Sequence, residues 1–149
     1  MDRKDPVILT NLCMVYDGSR VLVEEKVGKD YKGIIFPGGH VEEGEPVTDS
    51  VIREIREETG LAIRNPKLCG IKEWFNEDGS RYMVFLYKTD QFSGELRSSE
   101  EGKVFWTKFS ELPSLPLMWH MDTMMRIFTK GEFSELFLDS GDNWKEILK

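Results

Sequence analysis

Between Gly39 and Leu61 the chain reads GHVEEGEPVTDSVIREIREETGL, a stretch that leaves its backbone little freedom. Pro37-Gly38-Gly39, overlapping its start, reads as a loop, because proline fixes φ and glycine permits angles that other residues avoid. A helix is expected from about residue 46 to residue 59. Pro46 suits its first position, Asp49 favours the positive end of the helix dipole, and Gly60 supplies the stop. Val47, Val51 and Ile55 recur at four-residue spacing with Ile52 beside them, so one helix face is apolar and must be buried. The acids are left to the rest of its surface.

On either side of this helix the pattern is that of strands. Residues 7–16 and 20–26 are rich in β-formers around Asp17-Gly18-Ser19, which predicts a hairpin. Residues 68–75 and 81–89 flank a second turn, Asn76-Glu77-Asp78-Gly79, and 103–107 is a further short strand. From Pro116 to about Thr129 the periodicity is helical again, stopping before Gly131, and 133–138 closes the series as a strand. This order predicts an α+β chain, an α/β/α sandwich in place of a regular parallel βαβ repeat. With no repeat, low-complexity tract or linker in 149 residues, one domain spanning 1–149 is expected.

Charge narrows the function classes. The chain carries 20 Lys and Arg against 27 Asp and Glu, a formal charge of −7. Residues 42–58 alone hold seven acids and two bases, so most of the excess is local. Such a chain is poorly suited to wrap a nucleic-acid polymer, which calls for clustered Lys and Arg, whereas a concentrated acidic patch suits cations. No window approaches the roughly 20 apolar residues of a membrane span. MDRKDP at the start lacks the apolar run of a secretory signal, so the expected location is cytoplasmic. Cys13 and Cys69 lie far apart in apolar runs and read as buried thiols.

The acids themselves are spaced for chemistry. Glu54 and Glu58 are four apart and stack one turn above the other, while Arg53 and Glu57 do the same along an adjacent row. Two carboxylates at that spacing can coordinate a hard divalent cation, with the arginine fixing a third by a charge-assisted bond. Taken alone, Glu and Arg at this spacing are more often a solvated, salt-bridged face. The whole pattern is narrower: Gly39, five residues, Glu45, seven residues, Arg53-Glu54, Ile55, one residue, Glu57-Glu58, one residue, Gly60, Leu61.

That pattern resembles the signature of the Nudix hydrolases at every fixed position. The resemblance implies a Nudix fold, an α/β/α sandwich with a mixed central sheet, and Mg²⁺-dependent hydrolysis of a nucleoside diphosphate linked to another moiety, with Mn²⁺ as a possible substitute. Carried over, it makes Glu54 and Glu58 metal ligands together with the Gly38 carbonyl. Glu57 would ligate or be held by Arg53, Glu45 would tie loop to helix, and Gly39 and Gly60 would be conformational. A later loop often adds a carboxylate as ligand or base, and here Glu100 and Glu101 stand in place, Glu101 being favoured. His40 and His120 are expected to be structural or surface residues.

Outside the motif, Pro116-Leu117-Met118-Trp119-His120-Met121-Asp122 resembles the MutT-type branch that hydrolyses oxidised-purine nucleoside triphosphates. That makes Trp119 the stacking residue and Asp122 the base reader, with Asn11 and Trp74 as further pocket residues. Met121 and Ile35 depart from the branch, standing where it offers an acid and a polar amide. The expected partner is a small nucleotide, bound by a monomer or homodimer, with release of a nucleoside monophosphate and pyrophosphate. ADP-ribose, a dinucleoside polyphosphate or a nucleotide sugar would use the same chemistry, and a non-catalytic nucleotide-binding domain is the rival from another class.

Overall fold

A computed structural model describes residues 2–28 and 32–149. The opening hairpin forms as expected: β1 (Val7–Asp17) and β2 (Arg20–Val27) turn at Gly18, whose φ is 60°. They stay paired only at Tyr16 with Val21 and Asp17 with Arg20, then part. β3 (Lys32–Ile35) pairs with β2 on one side, and β4 (Gly38–His40) pairs antiparallel with β1. Pro37-Gly38-Gly39 is therefore not a free loop, because the backbone of Gly38 and Gly39 is drawn into the ladder beside Leu12 and Asn11. Close approach, not a positive φ, is what requires glycine there: a Cβ on Gly38 would overlap the carbonyl of Asn11.

The helix α1 (Val47–Thr59) has Pro46 as its N-cap and ends on Gly60, which takes the left-handed conformation at φ 80°. After it come a two-residue strand β5 (Ala62–Ile63), the hairpin of β6 (Lys67–Phe75) and β7 (Arg81–Thr89), and β8 (Phe92–Ser93), which pairs with β5. β7 also runs parallel to β1 from Val7 with Arg81 to Val15 with Thr89. β9 (Gly102–Lys108) lies antiparallel to β2, and a 3₁₀ segment (Phe109–Ser114) leads towards α2 (Met121–Lys130). β10 (Glu135–Asp139) is parallel to β6, and β11 (Lys145–Leu148) forms the edge beyond it.

β1 is central, and its alternation explains its unbroken apolar run. Leu12 and Met14 pack in one core with Met121, Met124, Ile127 and Phe128 of α2. Cys13 and Val15 face the opposite way, into a core with Val51 and Ile55 of α1. A strand covered on both faces loses the polar alternation of a half-exposed one. The result is a mixed sheet between two helices, the α/β/α arrangement.

Three expectations need correction. The second helix starts at Met121 and not at Pro116, because residues 116–118 pair with β3: Ile34 donates to the Pro116 carbonyl and Met118 donates back to Ile34. Tertiary pairing here overrides a helical pattern. The sequence reading ended at one strand over 133–138, whereas a second, β11, follows it. Cys69 is only half-buried, although both thiols are free as expected.

Candidate active site

The chemistry converges where α1 meets the ends of β2 and β4. Glu58 is 2% exposed, and its Oε2 accepts the amide N–H of Gly38 at 3.1 Å. The Gly38 amide thus orients the Glu58 carboxylate. Two further acids close on Glu58: Glu101, at the start of the turn into β9, and Glu24 on β2. Carboxylate oxygens of Glu24, Glu58 and Glu101 all lie within 4.8 Å of one another.

Glu24 was missed from the sequence. It is fully buried, following Val21-Leu22-Val23 in its strand, and it shares strand parity with Leu22, which points into the core under α1. Parity alone marks the face, and only the packing of α1 on that face brings the acid to Glu58.

Arg53 is the hub of the remaining acids. Its Nε and Nη2 donate to the two oxygens of Glu45 at 2.8 and 3.0 Å. Nη1 donates to Glu54 at 3.0 Å and to Glu57 at 3.2 Å, and Nη2 also reaches the His40 carbonyl at 3.0 Å. Glu45 is held below the usual carboxylate range by that bidentate bond, and also accepts the Glu42 amide, so it ties the loop to the helix. Glu57 is held by Arg53 on an otherwise exposed side chain. Glu54 is nearly buried, and Gly39 is packed so closely on it that a Cβ would stand 2.5 and 2.6 Å from its carboxylate oxygens.

Asn11, expected in the base pocket, lines the cavity beside the cluster and also braces this framework. Its Nδ2 donates to Ser50 Oγ on α1 at 2.9 Å, and its Oδ1 accepts the Gly39 N–H at 3.3 Å.

The electrostatics are those of a cluster short of positive charge. Burial first, then the neighbouring carboxyls of Glu101 and Glu24, push Glu58 up to about 10. Burial also raises Glu24 and Glu54. Glu101, facing the Glu58 carboxyl with Lys26 and His40 nearby, goes the other way, below its ordinary value. Among the described residues no hydrogen-bond donor meets either oxygen of Glu24 or Oε1 of Glu58. Buried, unpaired carboxylate oxygens are costly unless a cation joins them, and an all-oxygen donor set suits a hard divalent ion. The residues present thus fit a metal.

Beside the cluster opens a cavity of about 520 Å³. Glu54, Glu101, Gly38, Gly39, His40 and Lys26 form its acidic end; Lys72, Trp74, Tyr82, Val84 and Leu12 line the other, on the α2 side of the sheet. Trp74 stacks on Tyr82 with centroids 4.3 Å apart and planes 10° from parallel. Trp119 and Asp122 lie elsewhere. They line a separate hollow of about 500 Å³ with His120 and Glu146, and the two spaces share Met118. Trp119 is 76% exposed, so it is not core either. His120 is a structural residue, its Nδ1 2.6 Å from Glu146 Oε1.

The NUDIX domain family model matches residues 9–128. The chain belongs to the Nudix hydrolase family. It is 38% identical over 125 residues to the uncharacterized Nudix hydrolase YvcI of Bacillus subtilis, covering 80% of this chain and 78% of that one. It is 32% identical over 100 residues to an ADP-ribose pyrophosphatase of Methanocaldococcus jannaschii, covering 66% and 58%. Over 122 residues it is 30% identical to an oxidized purine nucleoside triphosphate hydrolase of Danio rerio, covering 78% and 75%. Among solved structures, the MutT protein from Bacillus halodurans superposes with a TM-score of 0.74 at 28% identity, covering 94% of each chain. Nudix hydrolases act on pyrophosphate bonds of nucleotide derivatives and generally use a divalent metal.

Proposed function

We propose that this Nudix hydrolase is a Mg²⁺-dependent nucleoside triphosphate pyrophosphohydrolase, with oxidised purine nucleotides such as 8-oxo-dGTP as favoured substrates. One observation carries the reading: Glu101, the exposed member of a carboxylate cluster whose buried members Glu24 and Glu58 have unpaired oxygens, lines a cavity that also holds the stacked Trp74 and Tyr82. The likeness to the Danio rerio hydrolase and to the MutT protein favours a triphosphate.

Glu24, Glu58 and Glu101 are the residues that would hold the ion, with Glu54, the Gly38 carbonyl and Glu57 beside them; Mn²⁺ is a chemically suitable substitute. When bound, it supplies charge neutralisation of the phosphate chain and a lowered pKa for water. The chain's own residues do the rest. Arg53 locks Glu45, Glu54 and Glu57 in place, and Asn11 and Ser50 fix the Gly39 backbone against α1. Lys26, lining the acidic end, meets the phosphates. Water oxygen bonds to phosphorus as the phosphoanhydride P–O bond breaks; pyrophosphate leaves and the water proton passes to Glu101, the exposed acid of the three.

ADP-ribose is the second reading, because the Methanocaldococcus jannaschii relative is named for it. A panel of normal and oxidised dNTPs, ADP-ribose and dinucleoside polyphosphates, with Mg²⁺ and products identified, separates the two. Nucleoside monophosphate plus pyrophosphate from triphosphates is the expected result; AMP plus ribose phosphate from ADP-ribose alone would refute it.

A further inference from the structure

Beside the stacked Trp74 and Tyr82, the cavity is lined by a cation that meets no counter-charge among the described residues. Lys72 lies in the middle of β6 and is 8% exposed. Its register partners on the two neighbouring strands are Val84 and Leu136, both buried and apolar, so neither gives it a counter-charge. It makes no hydrogen bond or ion pair with any described residue, and its ammonium stands 5.6 Å from the Trp74 ring centre. The other polar groups nearby are already engaged: Trp74 Nε1 donates to Asn76 at 3.0 Å, Thr10 Oγ1 donates to the Met83 carbonyl at 2.9 Å, and the Asn11 amide is held as described. A buried lysine with no hydrogen-bond or ion-pair partner among the described residues is expensive to keep, and this one lines the cavity.

We infer that Lys72 is a specificity-determining residue that donates a hydrogen bond to a carbonyl oxygen on the substrate's base, so that the site prefers keto bases to amino bases. This deepens the proposed hydrolase reading and rests on it for the position of the nucleotide. The phosphates belong at the acidic end, which leaves the base beside the stacked Trp74 and Tyr82. An ammonium has three donors and no acceptor. Guanine O6 and thymine or uracil O4 are acceptors at the place where adenine and cytosine present an amino group, while N7 is an acceptor common to both purines, so discrimination requires the ammonium to meet the O6 or O4 position. Donor facing donor leaves two groups unpaired, and sites of that kind reject the wrong partner strongly.

The test measures kcat/KM for GTP, ITP and UTP against ATP and CTP in the wild type, Lys72→Met and Lys72→Gln. The wild type is expected to favour the keto bases by about tenfold or more, from the strength of one charge-assisted hydrogen bond. In Lys72→Met the keto substrates lose that advantage, chiefly through KM, so the ratio of kcat/KM for GTP over ATP falls towards one. In Lys72→Gln, whose amide both donates and accepts, ATP gains relative to GTP. Equal losses for every base in Lys72→Met, or no keto preference in the wild type, would overturn the assignment. Calorimetric binding of GMP against AMP reads the same preference without turnover. A chain that hydrolyses no triphosphate yet binds GMP over AMP through Lys72 would sink the hydrolase reading and leave this one standing.

Discussion

Replacing Lys72 with methionine should make the protein more stable while impairing it, and the size of the effect follows from its surroundings. Burial pushes the Lys72 amine down from 10.5 to about 8. At 1.36 kcal/mol per pH unit, a displacement of roughly 2.5 units means that holding this ammonium charged costs the fold about 3 kcal/mol near neutral pH. The sign follows from proton counts. Between about pH 8 and 10.5 the unfolded chain keeps the proton that the folded one has lost, so wild-type stability rises with pH across that window. Below pH 8 the cost is present in full. Methionine matches the length of the side chain, fills the same space between Val84 and Leu136, and carries no charge. Urea unfolding at pH 7 should therefore place the Lys72→Met midpoint about 1.5 M above wild type, taking an m of about 2 kcal/mol per molar. The gap should close as pH approaches 10.5. Equal midpoints at pH 7, or a gap that does not change with pH, would refute the reasoning, because either requires an unrecognised partner for the ammonium.

Other parts of the site make equally definite demands. Gly39→Ala would drive a methyl group onto the Glu54 carboxylate, so it should reduce turnover by at least about tenfold and lower the melting temperature, read by steady-state assay and thermal denaturation. Arg53→Lys keeps the charge but not the two-pronged grip on Glu45 or the simultaneous bond to Glu54; a loss of about 1–3 kcal/mol in chemical unfolding is expected. Mg²⁺ at one hundred times its dissociation constant should stabilise the protein by about 2.7 kcal/mol, or roughly 5–10 °C by calorimetry, and Glu24→Gln should diminish that gain.

The helix and its acids were legible because local chemistry specifies them. Pro46, Gly60 and the Val51 and Ile55 stripe set the ends and face of α1, and the spacing of Arg53, Glu54, Glu57 and Glu58 needed no tertiary information. What needed such information was less visible. Glu24 and Lys72 are buried charges in strands, and only the packing of α1 on one face of the sheet and the cavity on the other shows where each of them points. Residues 116–118 have helical periodicity, yet bonding to Ile34 draws them into an extended pairing and leaves Trp119 and Asp122 in a neighbouring hollow. Asn11 lines the cavity as its sequence position suggests, and its amide also holds Gly39 to α1, a role visible only in the folded chain.

The central claim is that the buried carboxylates at the end of α1 hold a divalent ion that hydrolysis depends on. It is tested most directly by product-identified turnover of a nucleoside triphosphate across a Mg²⁺ titration, for the wild type and for Glu58→Gln verified as folded. Burial and the neighbouring carboxyls of Glu101 and Glu24 push Glu58 up to about 10, so the neutral amide should be tolerated by the fold. The wild type should be inactive in chelator, saturate with Mg²⁺ and release pyrophosphate, while Glu58→Gln stays folded and inactive at every concentration. Undiminished turnover in chelator, or near wild-type turnover by Glu58→Gln, would contradict the account.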